Sequence, residues 1–144
     1  MDHMLKYLPP SEKAWSLCEI YFEHAAWLYV VLQTYWNYTK LITLLSSVHP
    51  VSREHFLAEI FGPVYNSSPT RSNGEGSVRR PDSHELALLF MVFSLATLLD
   101  LTLPPNNVEA EFYHQLARAG LGCEPILVEP TVAAIQTLVS GVIL

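Results

Sequence analysis

With 144 residues, half of them apolar and 15% charged, the chain is long enough for one ordinary domain and too apolar for a disordered tail. Its formal charge of −6, with only 8 lysines and arginines and no basic stripe, argues against a free-standing nucleic-acid binder, because affinity for phosphates rests on clustered cations. The two cysteines, Cys18 and Cys123, lack Cys-x-x-Cys spacing, so neither a zinc knuckle nor a redox pair is encoded; both are expected as small buried thiols in a reducing compartment.

At the N-terminus, Asp2 stands where a secretory signal needs Lys or Arg, and Pro9-Pro10 interrupts any early apolar run, so a soluble intracellular protein is expected. Ser11 is placed to cap a first helix with Glu12 in its first turn. In that helix Ala14, Cys18, Tyr21, Ala25 and Leu28 recur at spacings of four and three, an apolar seam for helix packing. Residues 27–50 then break from their surroundings: Val, Leu, Thr, Tyr, Asn and Gln are mixed, with Lys40 as the one charge. A second helix is predicted after Val51, capped by Ser52, burying Phe56, Leu57, Ile60 and Phe61, and ended by Gly62-Pro63.

Residues 66–82 are rich in Asn, Ser, Pro, Thr, Arg and Gly and have too little apolar surface to offset the entropy of ordering, which predicts a disordered loop. Ser83 or Asp82 caps the most apolar element, "ELALLFMVFSLATLLDL", in which only Ser94 and Thr97 interrupt the stretch from Leu86 to Leu99. Apolar nearly all round yet short of the roughly 18 residues a membrane span needs, it is predicted as a central core helix. "LPPNN" breaks it, and Asn106 with Glu109 resembles a capping box for the next helix. There Phe112, Tyr113, Leu116, Ala117 and Leu121 form an apolar face, with Gly120 and Gly122 expected to end the helix. A last helix is predicted from about Pro130 through Val132, Ile135 and Leu138. The fold class is therefore all-α, an antiparallel helical array with proline-marked turns.

Site chemistry is sparse. His55 and Glu59, at i and i+4, have a spacing that suits a metal, but two ligands are not a site, and a surface pair is expected. His24 and His114 fit the boundaries of amphipathic helices; His84 falls in a first turn, a poor place for a cation. No Ser or Cys has a nucleophile context, and "NGEGS" lacks the lysine and the strand-to-helix setting of a phosphate loop. No catalytic, cofactor-binding or metal-ligating residue is assigned, and an enzyme is not expected.

The pieces "AWSLCEIYFEHAAWLY", "HPVSREHFLAEIFGPVY", "SHELALLFMVFSLATLLDLTLPPNNVEAEFYHQLARAGL" and "EPTVAAIQTL" together resemble the start of the fungal-specific transcription factor regulatory domain. This is the helical middle homology region of zinc binuclear cluster regulators, also called the xylanolytic activator regulatory domain. Its most specific pieces are "HELALLFMVF", "DLTLPP" and "EAEFYHQLARA". The resemblance implies a nuclear regulator of transcription, with protein partners of the transcription machinery or a small-molecule inducer. Zinc and DNA belong to a separate six-cysteine cluster that two cysteines cannot form, so DNA is implied only through that other domain, and no cofactor or membrane is expected for this chain.

Two departures from the family pattern shape the expected organisation. Residues 30–48 have no counterpart, which marks them as an anomalous insert, either a translated retained intron or a genuine additional helix or arm. The family domain also continues through more helices, so 1–144 is read as a partial, incomplete domain with apolar surface exposed. The alternative functions are a tetratricopeptide-like helical scaffold, for which one hairpin is legible instead of a full set of repeats, or a non-functional truncated product.

Overall fold

The computed structural model describes residues 2–36, 51–65, 81–104, 107–125 and 130–141, with side chains described for all of these except residue 2 and residues 25–36. Among the described residues there are helices and no strand, as the periodicity predicts. The elements are α1 (Asp2–Leu5), α2 (Ser11–Trp36), α3 (Arg53–Phe56), a π-helical turn (Leu57–Phe61), α4 (Gly62–Tyr65), α5 (Ser83–Leu99), α6 (Val108–Cys123) and α7 (Val132–Gly141). Helix α2 continues through residues 30–36, the first part of the anomalous stretch; residues 37–48 and 66–80 lie outside the described residues.

Helix α5 is the axis of the molecule. Its sequence offers no polar face, and every residue from Leu86 to Thr97 is buried, with α2, α6 and α7 packed against it. Each large side chain so buried contributes roughly 1.5–3 kcal/mol. The two polar interruptions are satisfied within the core: the Ser94 hydroxyl donates to the Ala110 carbonyl at 2.7 Å and the Thr97 hydroxyl to the Phe93 carbonyl at 2.8 Å. No helix among the described residues is long and apolar enough to cross a membrane.

Helix α6 returns antiparallel to α5, Ser94 meeting Ala110 at one end and Ser83 and Ala87 meeting Gly120 at the other. Its buried face is Ala110, Tyr113, Ala117 and Gly120, mostly small residues at spacings of three and four that let the two backbones approach. The expected face shares only Tyr113 and Ala117 with it; Phe112 is exposed, and Leu116 and Leu121 are half-buried. Tyr113 stacks on Phe90 and meets Phe93 edge-on.

Several boundaries differ from the sequence reading. The first cap of α2 is made one residue early, the Ala14 N–H donating to the Pro10 carbonyl, so Ser11 already lies inside the helix. Asn107, not Asn106, caps α6, its side chain accepting from the Glu109 N–H at 2.9 Å; Asn106 lies outside the described residues. Gly120 and Gly122 do not stop α6, which runs on to Cys123, because packing on α5 outweighs the roughly 1 kcal/mol that each glycine costs a helix.

Gly62-Pro63 does not end the second helix either. The Gly62 N–H reaches back five residues to the Leu57 carbonyl, and the widened turn carries the chain into α4 with Pro63 in its first turn. Proline is tolerated there because a first-turn N–H is unneeded, whereas an ordinary α-turn would drive its ring into the carbonyl four residues back. The predicted core side chains Phe56, Ile60 and Phe61 are buried, and Leu57 is half-buried. This continuous helical run, residues 53–65, lies antiparallel to α2, with Trp15 against Phe61, Phe22 against Phe56 and Glu19 paired with Arg53.

Helix α7 turns the opposite way from the expectation. Ala134, Thr137 and Ser140 are buried, whereas Val132, Ile135 and Leu138 are 69%, 42% and 48% exposed. The surface of α5 is already filled by large side chains, so the helix laid on it approaches through its small ones; a methyl on Gly141 would sit 3.2 Å from the Met91 Cε. It runs alongside α5 in the same direction, Thr131 beside His84 and Gly141 beside Met91, so this one pair departs from the antiparallel array.

The two α6 glycines separate backbone cost from packing need. A Cβ on Gly122 meets nothing within 4 Å, so Gly122→Ala is expected to stabilise the protein by about 0.5–1 kcal/mol, read as a higher urea midpoint at unchanged slope. A lower midpoint would mean that the end of α6 is not helical in solution.

Candidate functional site

The N-termini of α5 and α7 converge beside α3 and the π-helical turn. Asp82, extended at φ −70°, ψ 159°, caps α5: its carboxylate accepts from the Ser83 N–H at 2.6 Å, and the Glu85 carboxylate accepts from the Asp82 N–H at 2.9 Å. Of the two expected caps the acid is the one used, as suits the positive end of the helix dipole. Thr131 starts α7 in the same way, its hydroxyl oxygen accepting from the Ala134 N–H at 3.1 Å.

Between these ends lies a cavity of about 240 Å³ whose lining includes Asp82, Glu85, Thr131 and Gln136 together with His55 and Glu59. His55 and Glu59 are exposed, as the sequence predicts, and the fold adds two further carboxylates from α5 to the cavity they border.

His84 departs most from its expected place. It is in the first turn of α5 but completely buried, with Nδ1 2.9 Å from the Thr131 hydroxyl oxygen and no hydrogen-bond partner at Nε2. Beside it the end of α6 delivers Glu124. Asp82, His84 and Glu124 each offer one ligand atom within 4.8 Å of the other two. Asp82 and His84 are neighbours in sequence, but Glu124 joins them only because α6 returns antiparallel to α5, a juxtaposition no local pattern reveals.

The other histidines stay apart from this cluster. The Thr102 hydroxyl and backbone N–H donate to the Asp100 carboxylate and hold its pKa below the usual carboxylate value, with a smaller contribution from His24, half-buried on α2. His114 is half-buried on α6, 4.0 Å from Glu111.

Cys18 is buried in the core, and burial, reinforced by the Glu19 charge, pushes its thiol up to about 12. Cys123, expected to be buried, is exposed: it lies in the last turn of α6, beyond the part that packs on α5, with its thiol against the Ala119 carbonyl. A thiol reagent at neutral pH is expected to modify Cys123 at once and Cys18 only after denaturation; prompt reaction of both would contradict the packing of α2. The folded Cys18 pKa lies above its ordinary 9.0, so its contribution is fully present below pH 9 and is lost as pH rises toward about 12. Urea midpoints across that range should fall less steeply in Cys18→Ala than in the parent.

Fold and cluster together define an all-α protein built round one buried helix, with a cavity of mixed polar and apolar lining where two helix N-termini meet. No family model, curated protein or solved structure matches the chain.

Proposed function

We propose that the chain is part of a regulatory, non-DNA-reading domain of the kind found in fungal zinc-cluster transcription factors, acting in the nucleus through contacts with other proteins. The observation that carries this reading is the order and close spacing of "HELALLFMVF", "DLTLPP" and "EAEFYHQLARA" in the sequence. Two physical features support it. A net charge of −6 without a basic stripe suits a module that leaves DNA to another domain. The exposed apolar side chains of Val132, Ile135 and Leu138 on α7, and of Val108 and Phe112 on α6, suit protein contact.

The test tethers the chain to an unrelated DNA-binding domain upstream of a reporter in a fungal host. Reporter output is expected to change relative to that DNA-binding domain alone, and to return to the control level when the fold is broken by Phe93→Asp, which places an unpaired carboxylate in the core. The untethered chain should not shift duplex DNA. An unchanged reporter, or a change that survives Phe93→Asp, would overturn the proposal.

A further inference from the structure

We propose that Asp82, His84 and Glu124 form a binding site for a divalent transition-metal ion, with Zn2+ the best match, that ties the start of α5 to the end of α6. Nothing in the regulatory reading requires this site, and it stands on different observations.

The first observation is the ligand set. Imidazole nitrogen and carboxylate oxygen are both zinc ligands, and three protein ligands leave a fourth position for water. All three ligand atoms lie within 4.8 Å of one another, and a triangle of that side has its centre 4.8/√3, about 2.8 Å, from each corner. Zinc takes oxygen and nitrogen at about 2.0–2.2 Å, so movements of under about 1 Å close the site. Glu124, just after α6, is the ligand with the most freedom to supply that movement, since Asp82 is held by the capping box of α5.

The second observation is independent of the acids. His84 is 0% exposed and its Nε2 has no partner, although a buried polar atom left unpaired costs about 1–3 kcal/mol. Nδ1 is engaged with the Thr131 hydroxyl, so Nε2 is the nitrogen left to give. When Nδ1 carries the proton and donates it to Thr131, Nε2 holds a lone pair, the tautomer that a metal-ligating histidine adopts. Thr131 is held in turn by the Ala134 N–H, so α7 fixes the ring from behind. The competing arrangement has Thr131 donating to Nδ1, with a proton on Nε2 that no acceptor takes up.

Binding should be measured on the full chain with Zn2+ alone by calorimetry, and with Co2+ by visible absorption, which reports coordination geometry. Asp82→Asn keeps a side chain that caps α5, and Glu124→Gln changes no buried apolar contact, so both variants should fold. Each is expected to weaken Zn2+ binding at least tenfold, and the pair to abolish it, whereas His55→Gln should leave it unchanged. Saturating Zn2+ should raise the Tm of the parent and not that of the double variant. His84→Gln serves as a further loss-of-binding variant if it folds, but the two acid variants decide the matter without it. Nitrogen-15 shifts of the His84 ring should report an unprotonated Nε2 that moves on adding Zn2+. An absence of Zn2+ binding, affinity lost in His55→Gln but kept in both acid variants, or a ring that stays protonated at Nε2 in the presence of Zn2+ would overturn the proposal.

Discussion

Phe93→Ala is expected to lower stability by about 3–5 kcal/mol, the range for truncating a fully buried aromatic ring. Phe93 is 0% exposed at the centre of α5, its ring edge-on to Tyr113 of α6 at 5.6 Å and to Phe90 at 6.4 Å. Neither neighbour is free to fill the space. Phe90 is itself stacked on Tyr113, and the Tyr113 hydroxyl is drawn the other way, donating to Glu109 at 3.0 Å. Since a domain of this size is typically stable by about 5–15 kcal/mol, the loss takes a large share of the total. Urea unfolding followed by helical circular dichroism should show a much lower midpoint at an unchanged slope. A loss under about 1 kcal/mol would mean that α5 is not the packed axis.

The second large effect lies at Gly120. A Cβ there would sit 2.9 Å from the Ala87 Cβ and 3.2 Å from the Ser83 carbonyl oxygen, both fixed by the backbone of α5. The third neighbour, the Met4 Cε at 3.1 Å, ends a flexible chain and can move aside. Gly120→Ala gains about 1 kcal/mol of helix propensity but forces the two helices apart, and such overpacking costs about 1–3 kcal/mol. A net loss of roughly 1 kcal/mol is expected for alanine, and about 3 kcal/mol or more for valine. Ala87→Gly should relieve the contact, so Gly120→Ala should cost less in an Ala87→Gly background, a coupling read from a double-mutant cycle. Additive effects would mean that the helices do not touch there.

How much of this was legible depended on the kind of signal. A helix with no polar face has one stable place, so the role of α5 could be read directly from "ELALLFMVFSLATLL". Small residues mislead, because periodicity arguments follow the large ones. On α7 the eye goes to Val132, Ile135 and Leu138, yet the helix buries Ala134, Thr137 and Ser140. A glycine inside a helix likewise reads as a stop, although Gly120 is the point of closest approach to α5. His84 was placed correctly in a first turn, but its complete burial and the arrival of Glu124 depend on a return helix whose register no local window contains.

The sequence by itself determined that this protein is all-helical, that one helix must be interior, and, to within a residue or two, where the others start. These are properties of a few adjacent residues: their spacing, their hydrogen-bonding groups and their fit to a helical turn. Only the tertiary structure decided which face of α6 and α7 is buried, that Gly62-Pro63 is absorbed by a π-helical turn, that Cys123 is exposed, and that Asp82, His84 and Glu124 meet. The buried faces and the meeting of Asp82, His84 and Glu124 follow from close packing against a partner helix, where the depth of approach is set by the side chains of both.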